Sequence, residues 1–157
     1  FEGSRVFLFE VQSLLGTPNF GMPRRTVEGY DKNRVEILSA VLSRSLKVDV
    51  NSKDIYINIP GGIDLNDRSS DLAVIFSLLS SVKGVPISQK IAAIGELGLR
   101  GEVRKVSFIK NRVNELEKMG FAGVYLPKSH QADFKKEKTK IKLNYISNIS
   151  ELVERIK

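Results

Sequence analysis

The sequence predicts an α+β (mixed α/β) fold, with helices packed on a mixed sheet that includes β-hairpins, and three observations carry that prediction. Stretches that alternate apolar and polar residues interleave with stretches of helical spacing along the 157 residues. Glycine-rich turns join some of the alternating stretches directly, as hairpins require. One continuous run, residues 54–82, reads as strand, glycine loop, polar loop and helix.

In chain order, residues 5–15 alternate and carry Val6, Phe7, Leu8, Phe9 and Val11, which predicts a strand. Residues 16–23 are turn chemistry throughout, and residues 24–30 read as a second strand, expected to form a long hairpin with the first. Asp31 is placed to cap a helix running to about Leu46, with Val35, Leu38, Val41 and Leu42 on one face. Residues 54–59 are an isoleucine-rich strand ended by Pro60-Gly61-Gly62. From about Ser69 a helix follows, with Leu72, Ile75, Phe76, Leu79 and Val82 on its apolar face. A loop feeding a helix start leaves N–H groups able to hold an anion, so this junction is the first candidate site. Gly84-Val85-Pro86 stops the helix. Residues 91–97 form the next strand, residues 98–101 a turn, and residues 102–106 the returning strand. A helix is expected from about Phe108 to Met119, with Gly120 at its C-terminal cap. Residues 123–127 form a short buried strand and residues 140–146 another, and Asn148-Ile149-Ser150-Glu151 has the form of a capping box opening a last helix.

Composition bounds the function. The length fits one domain over residues 1–157, and 41% hydrophobic residues are enough for a core. With no cysteine there can be no disulfide or thiolate metal site, which suits a reducing cytoplasm. With His130 as the one histidine, neither a histidine metal centre nor a Ser-His-Asp triad is expected. No apolar run approaches the roughly 20 residues of a bilayer span. No signal peptide is visible, and a chain that opens on Phe1 is expected to be a fragment of a longer one. The net charge of +7 favours polyanionic partners.

Several motifs together resemble one family. They are Phe9-Glu10-Val11-Gln12-Ser13-Leu14, Phe20-Gly21-Met22-Pro23-Arg24-Arg25, Gly29-Tyr30-Asp31-Lys32-Asn33-Arg34, Asp54 through Gly62, Ser70-Asp71-Leu72-Ala73, and Gly95-Glu96-Leu97-Gly98-Leu99-Arg100-Gly101-Glu102-Val103-Arg104. In this order they resemble the C-terminal, Lon-protease-like domain of the RadA (Sms) family of bacterial DNA repair proteins. The resemblance implies a longer parent chain, a DNA-dependent ATPase with a zinc module and a RecA-like core, working in recombinational repair as a hexameric ring with a recombinase as partner. It implies that this domain is a ring scaffold and DNA platform. ATP, magnesium and zinc would belong to the parent chain alone, since no Gly-Lys-Ser or Gly-Lys-Thr phosphate loop occurs here.

The Lon fold also implies a serine–lysine dyad. Its serine lies at the start of the helix after the central strand, in Lys-Asp-Gly-Pro-Ser-Ala-Gly. Matching that motif to residues 66–72 puts Ser70 at the nucleophile position, and counting on from Gly95 without gaps puts Lys110 at the lysine position. Arg68, Ser69 and Leu72 depart from the motif, and Asp71 stands where it would keep a nearby lysine protonated, so no catalytic residue is expected. Arg24, Arg25, Arg34, Arg100, Arg104 and Lys105 are the candidate DNA contacts, made to the backbone and therefore salt-sensitive. Base contacts are not expected, because Phe7, Phe9 and Phe76 read as core and only Phe20 as an exposed ring. His130 reads as a surface loop residue, and the lysines of residues 128–142 as a solvated face. Three readings stay open: a catalytically silent DNA-binding scaffold, a peptidase using Ser70 and Lys110, and an oligomerisation module.

Overall fold

The computed structural model describes residues 5–19 and 21–155, so Phe20, which belongs to the motif readings above, lies outside the described residues. The fold is α+β. Strand β1 (Gln12–Gly16) and strand β2 (Arg25–Glu28) are followed by helix α1 (Lys32–Leu46) and strand β3 (Asp54–Asn58). A 3-10 turn (Arg68–Ser70) leads into helix α2 (Asp71–Lys83), then strands β4 (Ile91–Ala93), β5 (Glu96–Leu97) and β6 (Val103–Arg104). Helix α3 (Ile109–Lys118), strand β7 (Gly123–Pro127), a 3-10 segment (Lys128–Phe134), strand β8 (Lys142–Ile146), a 3-10 turn (Ile149–Glu151) and helix α4 (Leu152–Arg155) complete the chain.

The expected hairpin between the first two strands is not formed. β3 lies between them, antiparallel to β1 and parallel to β2, in the order β1-β3-β2. The reason is the connection: β2, α1 and β3 form a crossover unit, and such a unit places its strands parallel and adjacent. The β1–β3 ladder begins at Gln12, so residues 6–11 lie outside the sheet. The second sheet, β4-β7-β8, is parallel throughout, and β5 and β6 form a separate two-residue hairpin. The single strand expected over residues 91–97 is therefore divided. At Gly95 the backbone turns to α2, donating to Ser69 O at 2.7 Å and accepting from Leu72 N at 3.1 Å.

Local chemistry places the helices as read. Asp31 accepts from Asn33 N at 2.9 Å and caps α1, whose Val35, Leu38, Val41 and Leu42 are buried. Gly84 ends α2 at φ +63, a conformation that costs glycine little. The Asn148 capping box is formed, with Glu151 accepting from the Asn148 N–H at 3.1 Å. One core joins α1, α2 and β3 with Leu97, Val103, Ile149 and Leu152; the other joins α3, β7 and Ile141 with Ile94. Each fully buried leucine or isoleucine contributes about 1.5–3 kcal/mol. Ser77 and Ser81 tie α2 to β1 and the residue before it by donating to Val11 O (3.1 Å) and Ser13 O (2.8 Å).

Candidate functional site

The junction between β3 and α2 is built around Asp67. Its Oδ1 accepts from Ser69 N at 2.9 Å, and its carbonyl accepts both from Ser70 N (3.1 Å) and from the Ser70 hydroxyl (2.5 Å). Asp71 N donates to Arg68 O, and Leu72 N donates to Gly95 O. The N–H groups of four successive residues at this helix start are thus engaged internally. The expectation of an open anion cradle is corrected: this helix start is closed by its own loop and by the Gly95 carbonyl.

Arg112 reaches the loop from α3. Its Nη2 donates to Asp67 Oδ2 at 2.7 Å, its Nη1 to Ser69 Oγ at 2.8 Å, and its Nε to Ser107 O at 3.0 Å. Only 12% of the Arg112 side chain and 27% of that of Asp67 meet solvent. Burial opposes ionisation of Asp67, but hydrogen bonds from Arg112 and from Ser69 outweigh it and hold the carboxyl well below the usual carboxylate range.

The serine and cation that meet at this helix start are therefore Ser69 and Arg112. Ser70 and Lys110, the pair inferred from ungapped counting, do not touch: the Ser70 hydroxyl is turned back onto Asp67, and Lys110 Nζ pairs with Glu137 Oε1 at 2.7 Å with half its side chain in solvent. Residues two apart on a helix do not share a face, so with Arg112 inward Lys110 must point outward. A signal for this was present. Ile109, Arg112, Val113 and Leu116 fall on one helical stripe, and the three apolar members are buried. Arginine stays protonated in proteins, so it donates to Ser69 and cannot take its proton. A small apolar cleft, about 90 Å³, opens over this pair between Phe7, Leu65, Ala93 and Met119.

Asp71 has partners that sequence reasoning missed. Fully buried, it accepts from Tyr30 Oη (2.6 Å), Arg34 Nε (3.0 Å), Arg34 Nη2 and Leu97 N (2.9 Å). Arg34 Nη2 also donates to Leu97 O at 2.6 Å. Its bond to Asp71 raises the Arg34 pKa against the opposing effect of burial, while burial and then the Asp71 charge push the Tyr30 hydroxyl well above its ordinary value. Arg34, nominated for DNA, is thus placed inside the fold, joining α1 to α2 and β5.

The other nominated cations fall in two places. Arg24 is exposed at the start of β2, where its N–H donates to Asp54 Oδ1 at 2.7 Å. Arg25 caps the turn before β3, donating to the carbonyls of Lys53 (2.7 Å) and Asn51 (3.0 Å). Arg100, Arg104 and Lys105 lie on or beside the β5–β6 hairpin. Arg100 is exposed at the turn, Arg104 pairs with Glu102 at 2.6 Å, and Lys105 lies 3.9 Å from Asp133.

Two further expectations are corrected. His130 is buried, not a surface residue: its Nε2 accepts from Val106 N at 3.0 Å, which leaves the proton on Nδ1 for Asp133 Oδ2 at 2.6 Å. Phe7 is 45% exposed and not in the core, whereas Phe9 and Val11 of the same segment pack against it; Phe108 is exposed as well, at 58%. Among the described residues no helix is long and apolar enough to cross a membrane.

Comparison with known proteins agrees with this architecture. The family model of the Lon protease (S16) C-terminal proteolytic domain matches residues 33–156. The chain belongs to that family. Within it, the chain is similar to the DNA repair protein RadA of Helicobacter pylori (strain ATCC 700392 / 26695), 37% identical over 153 residues, which are 98% of this chain and 33% of the relative. RadA of Streptococcus pyogenes serotype M3 (strain MGAS315) is 44% identical over 128 residues, 82% of this chain and 28% of the relative. RadA of Bacillus subtilis (strain 168) is 38% identical over 150 residues, 96% of this chain and 32% of the relative. The chain spans about a third of the length of the curated relatives it matches.

Proposed function

We propose that residues 1–157 act as one Lon-type domain without peptidase activity, within a RadA-type DNA-dependent ATPase of recombinational repair. The parent chain would supply ATP, magnesium and zinc binding and would work in the cytoplasm on branched recombination intermediates beside a recombinase. This domain would serve as scaffold of a homohexameric ring and hold DNA by its backbone.

The contact between Ser69 and Arg112 is the observation that carries the silent reading. A hydroxyl becomes a nucleophile only when a neighbouring group accepts its proton, and a guanidinium paired with a carboxylate has no free lone pair to offer. For the DNA role, support comes from the net charge of +7, from exposed Arg100, Arg104 and Lys105, and from the similarity to repair proteins. Contacts of that kind are sequence-independent and weaken steeply with salt.

Both halves can be tested. Hydrolysis of a fluorogenic peptide and of casein is measured for the parent, Ser69→Ala and Ser70→Ala; no cleavage is expected, and cleavage abolished by either substitution would overturn the silent reading. Labelled single-stranded and duplex DNA are titrated across a salt series, with Arg100→Ala/Arg104→Ala as the comparison. Binding that fades with salt and weakens in the double variant is expected; no binding at low salt would remove the platform role. Sedimentation then reports whether the domain assembles by itself.

A further inference from the structure

His130 is the one histidine of the chain, and its ring is buried. It lies in the 3-10 segment after β7, and both of its ring nitrogens are engaged. Nδ1 meets Asp133 Oδ2 at 2.6 Å, three residues on in the same segment. Nε2 accepts from Val106 N at 3.0 Å, in the connection between β6 and α3. A ring nitrogen accepts only while it carries no proton. The contact with Val106 therefore exists for the neutral, Nδ1-protonated ring alone.

The surrounding charges decide which nitrogen responds to pH. On the same segment, the hydrogen bond from His130 lowers the Asp133 pKa against the opposing effect of burial, and the Lys105 and Lys110 charges add to the lowering. Lys105 Nζ lies 3.9 Å from that carboxylate, and Lys110 of α3 pairs with Glu137. Lys128, at the head of the segment, is exposed. From β8 come the exposed Lys142 and Tyr145, whose hydroxyl burial and then the Asp133 charge raise above its ordinary value. From β7 comes Tyr125, with its ring against Phe76 of α2 at 4.7 Å. Histidine is the side-chain type that changes charge between about pH 5 and 8. Over that range Asp133 stays anionic and keeps a proton on Nδ1. A second proton must go to Nε2, where it meets the Val106 N–H, donor against donor.

We propose that His130 is a proton-operated latch on residues 105–108: neutral, it fastens the connection between β6 and α3; protonated, it releases it. The closed latch has no place for the second proton, whereas the open latch takes it up beside the Asp133 carboxylate. Acid therefore shifts the equilibrium towards the open form. The fastened segment reaches further into the molecule. Ser107 O accepts from Arg112 Nε at 3.0 Å, and Arg112 holds Asp67 and Ser69 at the start of α2. On its other side the segment continues β6, the returning strand of the two-residue hairpin. One proton thus loosens the piece of chain that joins the hairpin to α3.

The test is amide hydrogen exchange and imidazole nitrogen NMR on the chain between about pH 8 and pH 5. The ring should carry its proton on Nδ1 at the neutral end. Val106 protection, corrected for intrinsic exchange, should be about tenfold lower at the acid end, while the buried Val124 of β7 keeps its protection. His130→Gln places an amide oxygen where it can accept from Val106 and takes up no proton, so Val106 should stay protected throughout. Asp133→Asn removes the anion beside the ring and should move the transition to lower pH. A neutral ring protonated on Nε2, or Val106 protection that is the same at both ends, would overturn the latch. So would an acid loss in His130→Gln equal to that of the parent. Equal losses at Val106 and Val124 would show unfolding of the whole domain in place of a local release, and would overturn it as well.

Discussion

Arg112 and Lys110 lie two residues apart on α3 and do opposite things. Arg112 is 12% exposed and holds the loop at the start of α2 through Asp67 and Ser69; Lys110 is 50% exposed and pairs with the surface residue Glu137. The difference is helical phase. A turn of 100° per residue sends one cation against the core and the other into water. Inside, where the dielectric is low, a cation is a structural tie whose loss leaves a carboxylate stranded. Outside, the same charge is worth little to stability and stays available to a partner. The inner loop and the outer lysine face are thus two uses of one charge type, separated by the helix between them.

That contrast can be broken at several strengths. The largest effect is expected from Asp71→Ala, which leaves Arg34 buried without its carboxylate: a loss of about 3–5 kcal/mol in urea unfolding, against a small change for any lysine of the outer face. Arg112→Ala should cost about 2–3 kcal/mol, because Asp67, Ser69 Oγ and Ser107 O all lose a donor. An Arg112→Ala chain as stable as the parent would remove the structural role given to the inner loop. His130→Ala should cost about 1–3 kcal/mol by leaving Val106 N–H without an acceptor, and hydrogen exchange at Val106 should accelerate.

Acid sharpens the comparison. Asp67 is held below its unfolded value of about 3.9, so its contribution is complete above that pH and is lost as pH falls through the folded value. Stability traced by this pair should therefore be flat from neutral pH to about 4 and decline below it, and the decline should be shallower in Arg112→Ala. The smallest stability effect belongs to Glu137→Gln. It should change unfolding by less than about 1 kcal/mol while raising affinity for polyanions, since Lys110 is released. A large destabilisation there would show that the outer face is also structural.

Much of the fold was legible from residue spacing alone. The strand–loop–helix run over residues 54–82, the Asp31 cap, the Gly84 stop and the Asn148 capping box are all local, and each is written in a few adjacent residues. The pairing of β1 and β2 was not legible, because adjacency in a sheet is settled by which strand the crossover helix returns. The site was half legible. Ser69 and Ser70 stood out at the helix start, but Asp67 and the cation facing them did not. Counting along the chain from Gly95 ends on Lys110, whereas the apolar stripe of α3 selects Arg112.

Sequence by itself therefore determined the α+β class, the helix ends and the cationic character of the surface, since propensity, capping and charge act within a turn or two of the chain. Tertiary structure alone decided which charges became internal. Asp71 chose Arg34 and Tyr30 from residues about forty positions away, and Ser69 chose Arg112 from the far side of the β5–β6 hairpin. Such contacts depend on two elements meeting at one distance and one rotation, and no local pattern carries that information.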